Sequence, residues 1–325
     1  MVVRSGGGGR IRWEWNVLPA ALRGIEPAPN LYHATWNHGI PRGLPFPSIL
    51  TLHDLIPWKL PGAVPWPRPA ILHQALYRRA VSSSASEAAR IVVVSEATRA
   101  DVAALLPGVA SRTEVVSNAL PPWFQPVGRE AGAESRKRFA DGGPYWLYLG
   151  GFDPRKGIDT LLGAIDEAFP DRSHAPDLVL AGSRNREAER AEALARALGV
   201  RVHFPGYIPD AELAAIFAGA SLFIYPSRYE GFGIPLLFAL ASEVPCVVSD
   251  GGSLPEVAGD AGILFPAGDV AALARVLRRA AGDSEWLAAH AARGPARASQ
   301  FRVEAMAERM LRAYERAMEG RARSS

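Results

Sequence analysis

Short apolar runs alternate along this chain with longer stretches in which Ala, Leu, Arg and Glu recur at helical spacing. Uninterrupted apolar runs mark strands buried on both faces, so the alternation predicts an α/β fold of parallel sheets covered by helices. In the first part, strands are expected at 48–52, 91–94 and 113–116, with 31–33 a weaker fourth, and helices at 69–90 and 96–106. Ser95 stands where a helix starting at 96 needs its N-cap. A second alternation starts at residue 145. Its strands are expected at 146–149, 178–181, 201–204, 222–225, 246–249 and 263–265, with helices at 158–167, 185–198, 210–219, 235–242 and 270–281. A last helix, 303–319, carries Met306, Met310, Leu311, Tyr314 and Met318 on one face. The chain therefore reads as a first α/β domain at 1–125, a polar linker with one short helix at 126–143, a second α/β domain at 144–300, and a terminal helical segment at 301–325.

Composition narrows this picture. At 325 residues the chain has room for two domains, and its mean hydropathy of +0.01 is that of a globular protein. No apolar run approaches the ~20 residues of a spanning helix. The first ten residues hold no apolar core, so they do not read as a secretory signal, and the cytoplasm is the expected location. Four consecutive glycines at 6–9 read as a tail in preference to a glycine loop. A single cysteine, Cys246, excludes an internal disulfide and a cysteine-based zinc site, and its apolar surroundings make it a buried small hydrophobe. His33 and His38 stand five apart, but neither has a carboxylate or cysteine at ligand spacing, so no metal site is expected. A net charge of +3 and the lack of a basic run interleaved with aromatics argue against a nucleic-acid partner.

The candidate chemistry lies at strand ends. Residues 225–238 read Tyr-Pro-Ser-Arg-Tyr-Glu-Gly-Phe-Gly-Ile-Pro-Leu-Leu-Phe. An apolar strand stops at Pro226, a carboxylate follows at Glu230, and Gly231, Phe232, Gly233 and Ile234 lead into a helix with Pro235 in its first turn. Backbone N–H groups at such a start can hold a phosphate, and Glu230 can accept hydrogen bonds from a sugar hydroxyl. A second strand exit reads Gly150-Gly151-Phe152-Asp153-Pro154-Arg155-Lys156-Gly157. Fixed Arg155 and Lys156 suit the charge of a diphosphate leaving group, in place of a metal. Both motifs follow C-terminal strand ends, the edge where parallel sheets bind ligands. In the first domain, His53 directly follows a strand in Thr51-Leu52-His53-Asp54. Asp54 reads as a turn-fixing or capping residue, and His53 as either a site residue or one bonded to a nearby carbonyl.

Together these motifs resemble the donor site of the retaining glycosyltransferases of the GT-B superfamily, the "group 1" or family 4 type, whose pattern is Glu-Gly-Phe-Gly-(Leu/Ile)-Pro-x-x-Glu. The resemblance implies two Rossmann-like doubly wound domains with an inter-domain cleft, the terminal helix crossing back to the first domain. Relative to that plan the first domain is short: about 50 residues of the usual N-terminal part have no counterpart. It also implies a metal-independent, front-face transfer of a hexose, for instance mannose, with no cofactor beyond the co-substrate, a nucleotide-diphosphate sugar such as GDP-mannose or a UDP-sugar. The acceptor would be a glycan or lipid-linked, which brings in peripheral contact with the inner face of the membrane. Residue by residue, Glu230 carries over as the donor-sugar ligand, Arg155 and Lys156 as diphosphate ligands, and His53 as a group near the reacting centre. Gly150, Gly151, Gly231, Phe232, Gly233, Ile234 and Asn118 carry over as donor-binding positions.

The match departs in two places. The second Glu of the pattern, which usually grips the ribose hydroxyls, is Phe238 here, and the glycine usually following Asn118 is Ala119. The loops 182–184, 206–209 and 249–255 are expected to shape the nucleotide pocket. Two readings stay open: an active transferase, or an impaired relative acting as a non-catalytic partner subunit. A dinucleotide-dependent oxidoreductase is excluded, because no Gly-x-Gly-x-x-Gly follows a strand with an acidic residue ~20 positions on.

Overall fold

A computed structural model describes residues 17–62, 70–171 and 175–322. The chain divides into two compact units, residues 1–117 with 304–325, and residues 118–303. The four glycines at 6–9 lie outside the described residues.

In the first unit, a short helix α1 (Leu18–Arg23) precedes β1 (Tyr32–Ala34) and β2 (Ser48–Leu52). Helix α2 (Ile56–Lys59) and the long α3 (Ala70–Glu87) lead to β3 (Arg90–Val93), then α4 (Glu96–Leu105) to β4 (Thr113–Val115). The four strands are all parallel, in the order β1-β2-β3-β4. Side chains alternate across a strand, and that alternation divides the core here. Leu50 and Leu52 point to one face, where they pack with Val81, Ala85 and Ala88 from α3 and its end and with Val102 from α4. Ile49 and Val92 point to the other, where Ala313 and Ala317 of the C-terminal helix (Val303–Ala322) cover them. That helix thus completes the core of the first unit. Half-buried His33 ties it down: its Nδ1 lies 2.9 Å from the Tyr314 hydroxyl and its Nε2 2.8 Å from Thr51 Oγ1. Ser95 caps α4 as its position predicts, accepting from the Thr98 N–H at 3.0 Å.

The second unit opens differently from expectation. Residues 126–143, read from sequence as a linker with one short helix, hold a 3-10 turn (Arg129–Gly132) and that helix, α5 (Ala133–Ala140), and both belong to this unit. Gly132 lies against the backbone of Ala218 and Gly219 so closely that a Cβ has no space there. The segment is polar because much of it faces solvent, not because it is free of the fold. The sheet follows: β5 (Tyr145–Leu149), α6 (Ile158–Ala168), β6 (Asp177–Ala181), α7 (Arg186–Leu198), β7 (Val202–Gly206), α8 (Asp210–Gly219), β8 (Ala220–Tyr225), α9 (Ile234–Ala241), β9 (Cys246–Ser249), α10 (Leu254–Ala258) and β10 (Gly262–Phe265). Helices α11 (Val270–Gly282), α12 (Ser284–Ala291) and α13 (Gly294–Ala298) close the unit.

All six strands run parallel in the order β10-β9-β8-β5-β6-β7. Chain progression reverses between β5 and β8, which lie side by side. The loops leaving their C-terminal ends are therefore neighbours, and such a switch point is where a doubly wound sheet binds its ligand. Cys246 is fully buried in β9, as expected of a small hydrophobe, and burial pushes its thiol pKa up.

Candidate active site

The switch point brings together the two motifs that lie about seventy residues apart in sequence. After β5 the chain makes a 3-10 turn, Pro154–Lys156, and leaves it through Gly157. Gly157 sits at φ +68°, and a Cβ there would collide with the Pro226 carbonyl oxygen. Only glycine permits this approach, which lays the 154–157 turn directly against the loop leaving β8. The Arg228 N–H donates to the Arg155 carbonyl at 2.6 Å, stitching the two loops backbone to backbone.

Three charged side chains converge on that seam. Lys156 Nζ donates to Glu230 Oε1 at 2.6 Å and lies 3.3 Å from the Tyr225 hydroxyl; Arg155 Nη1 donates to Glu230 Oε2 at 3.2 Å. Ser227 Oγ adds a third hydrogen bond, donated to Glu230 Oε1 at 2.7 Å. Lys156 and Glu230 are both buried. Burial alone would raise the Glu230 pKa, but Lys156 and Arg155 outweigh it and hold the carboxyl below its ordinary value, so it is ionised. Burial lowers the Lys156 pKa against the pull of Glu230. The Tyr148 and Tyr225 hydroxyls beneath are buried and their pKa values pushed well up, so both stay neutral.

A buried carboxylate with two cations and a hydroxyl on its two oxygens is positioned chemistry. Glu230 holds Arg155 and Lys156 in place and is committed to them, which makes it a poor general base. The sequence reading singled out Glu230 and the cation pair but missed Ser227 and Tyr225. Ser227 had one signal: a hydroxyl residue three positions before the carboxylate, in a loop between two buried elements. Ser249 donates to the Ser227 carbonyl, and Ser253 Oγ lies 3.1 Å from the Glu230 carbonyl and 2.9 Å from that of Phe232. Both serines fall in the 249–255 loop expected to shape the pocket.

Gly231, Phe232 and Gly233 then lead into α9. Its N-cap, Gly233, offers no side chain to the first turn, and Pro235 has no N–H to satisfy. Gly150 and Gly151 line a second feature, a cavity of about 280 Å³ at the ends of β5, β6 and β7, together with Gly182, Ser183, Tyr207 and Ile208. Gly182 lies so close to the Gly150 carbonyl oxygen that no side chain fits between these loops.

Phe238, in the place of the second carboxylate of the pattern, is 5% exposed and stacks on Phe124 with ring centroids 4.4 Å apart; Trp123 and Phe217 complete the cluster. It packs. Asn118 is half-buried at the start of the second unit. His53 belongs to the first unit. Its Nε2 lies 2.9 Å from the Thr35 carbonyl, which can only accept, so this nitrogen carries the hydrogen. Asp54 accepts from the Ile56 N–H at 3.0 Å and fixes the turn into α2. Among the described residues no group of three or more His, Cys, Asp or Glu side chains could hold a metal ion, and no helix is long and apolar enough to cross a membrane.

Comparison with known proteins bears on this geometry. The family described as "Glycosyl transferases group 1" matches residues 133–295. The chain is 32% identical over 271 residues to O-antigen chain mannosyltransferase B of Escherichia coli, covering 82% of this chain and 70% of that protein. It is 35% identical over 172 residues to MMP alpha-(1->4)-mannosyltransferase of Mycolicibacterium hassiacum, covering 51% of this chain and 41% of that one. Among solved structures, sucrose-phosphate synthase from Thermosynechococcus elongatus superposes with a TM-score of 0.73 at 25% identity, over 90% of this chain and 74% of that one. With a family match over half its length, a relative matched over most of its own, and two parallel sheets, the second of them doubly wound, this chain belongs to the group 1 glycosyltransferases and carries their GT-B fold.

Proposed function

We propose that the chain transfers a hexose, mannose by the names of its relatives, from a nucleoside-diphosphate sugar to a glycan or lipid-linked acceptor at the inner face of the membrane. One observation carries this reading: Arg155 and Lys156, held by the buried Glu230 at the β5/β8 switch point, next to the glycine-led start of α9. Two cations beside backbone N–H groups suit a pyrophosphate, and they supply charge stabilisation that a metal provides elsewhere.

The step keeps anomeric configuration. The acceptor hydroxyl oxygen bonds to the anomeric carbon on the face from which the diphosphate leaves, the bond from that carbon to the β-phosphate oxygen breaks, and the acceptor proton passes to the departing phosphate. No enzyme nucleophile enters, in keeping with Glu230 being tied to its cations. The protein contributes orientation and electrostatics.

Phe238 favours a second reading, a partner subunit with weak donor binding, because an aromatic side chain offers ribose no acceptor. One assay separates the two. Incubation with GDP-mannose or UDP-sugars and a mannosylated oligosaccharide should release nucleotide, and Arg155→Gln should lower the rate by about a hundredfold or more, the scale of losing one preorganised charge. Equal rates in wild type and Arg155→Gln would exclude the assigned donor site; no release from any donor would favour the partner-subunit reading.

A further inference from the structure

The chain leaving β1 presents an aromatic face at the C-terminal edge of the first sheet. β1 and β2 are parallel neighbours, so residues 35–37 and 53–54 emerge together at the edge where parallel sheets take their ligands. Trp36 stands there with 51% of its surface exposed, although a tryptophan carries one of the largest apolar surfaces a core can bury.

Its neighbours hold it there. The Thr35 carbonyl accepts from His53 Nε2 at 2.9 Å. Asn37 is 5% exposed; its Oδ1 accepts the His53 N–H at 2.7 Å and its Nδ2 donates to the Tyr77 hydroxyl of α3 at 2.8 Å. The backbone on each side of Trp36 is thus tied to the β2 exit and to α3, and turning the indole inward would break those bonds. The His53 ring supports the indole from one side, with centroids 5.6 Å apart and planes at 48°. An aromatic face mounted this firmly loses little conformational entropy when something docks on it.

A hydrogen-bond acceptor stands beside that face. Nε2 of His53 carries the hydrogen, so the neutral ring has its lone pair on Nδ1, and among the described residues no hydrogen bond engages that nitrogen. An indole face with one acceptor at its side fits a pyranose. The C–H bonds on one face of the sugar lie on the indole, and a hydroxyl at its rim donates to Nδ1.

We infer that Trp36 is the platform on which the sugar ring of the acceptor rests, with His53 Nδ1 accepting one of its hydroxyl hydrogens. Trp36 then selects acceptors whose ring offers an apolar face; it makes and breaks no bond. That the bound sugar is the acceptor rests on the function proposed above; that a sugar binds here does not. A nucleobase also stacks on indole, so a free nucleotide is the counter-probe.

The test uses the full chain labelled with fluorotryptophan, without any donor, and two probes, mannotriose and GDP. Fluorine NMR reads the Trp36 signal, identified by its loss in Trp36→Phe. Mannotriose should shift that signal saturably, and GDP should leave it in place. By titration calorimetry, Trp36→Ala should weaken mannotriose binding by about tenfold or more and leave GDP affinity unchanged, whereas Trp36→Phe, which keeps an aromatic face, should recover most of the loss. His53→Phe, which keeps a ring beside Trp36 and removes the acceptor, should weaken mannotriose by about threefold or more. In the transferase assay Trp36→Ala should raise the acceptor KM by the same factor as the binding loss. A Trp36 signal indifferent to mannotriose, full mannotriose affinity in Trp36→Ala, or an equal shift with GDP would each overturn the assignment. A signal that responds to mannotriose in a chain that transfers nothing would uphold the platform and tell against the transferase reading alone.

Discussion

Glu230 shows how one carboxylate can organise a site. Its oxygens are shared among Lys156, Arg155 and Ser227, so removing Lys156 alone strands a buried negative charge. Such a break costs about 3–5 kcal/mol, whereas removing both charges together costs less. Lys156→Met should therefore lower thermal stability markedly, and Lys156→Met/Glu230→Gln should recover part of the loss, measured as a double-mutant cycle by denaturant unfolding. The Glu230 pKa is held below its ordinary value of 4.5, so the stability it contributes is present above that value and lost as pH falls below it. Glu230→Gln should flatten this part of the acid-unfolding curve. Phe238 gives the converse case. Truncating a buried aromatic costs about 3–5 kcal/mol, and Phe238→Ala should show that loss in denaturant unfolding. Phe238→Glu, which restores the family pattern, should destabilise at least as much by placing a charge among Trp123, Phe124 and Phe217. A Phe238→Glu melting point equal to wild type would show that the cluster opens to water.

The turn 154–157 is set by what the β8 loop allows. Gly157→Ala combines a left-handed φ with a backbone clash at Pro226, so it should cost more than ~1 kcal/mol and weaken nucleotide binding by displacing Lys156. A melting curve and a nucleotide titration together check this. The C-terminal helix is held by packing on Ile49, Val92 and Val116 and by the bond between Tyr314 and His33. Burial lowers the His33 pKa below its ordinary 6.5, so the unfolded chain takes up a proton that the folded one resists. Stability from His33 is thus complete above pH ~6.5 and falls as the solution is acidified through that value, at up to ~1.4 kcal/mol per pH unit. Amides of residues 304–319 should exchange faster at pH 5.5 than at pH 7.5 once intrinsic rates are corrected. His33→Gln should remove that difference.

Each unit buries its own core, so residues 118–303 expressed alone should unfold in one cooperative transition by far-UV circular dichroism. Much of this organisation was legible in the chain. The expected bounds of β2, α8 and β9 coincide with those observed: the two strands are apolar runs buried on both faces, and α8 is an alanine-rich stretch bracketed by Pro209 and Gly219. The short helices α12 and α13 leave no signal in the sequence, and α5 is the one short helix expected within 126–143. At eight residues or fewer they are too short to display a helical period, and neighbouring elements hold them in place. By itself the sequence determined the α/β class, the cation pair, the carboxylate and the glycines that mark strand exits, since those follow from residue type and local spacing. Only the tertiary structure decided that Lys156 and Glu230 share a hydrogen bond, that Ser227 completes it, that Phe238 packs and that 126–143 belongs to the second unit. Those facts depend on which strands become neighbours, and β5 beside β8 is a property of sheet order that no stretch of the chain encodes locally.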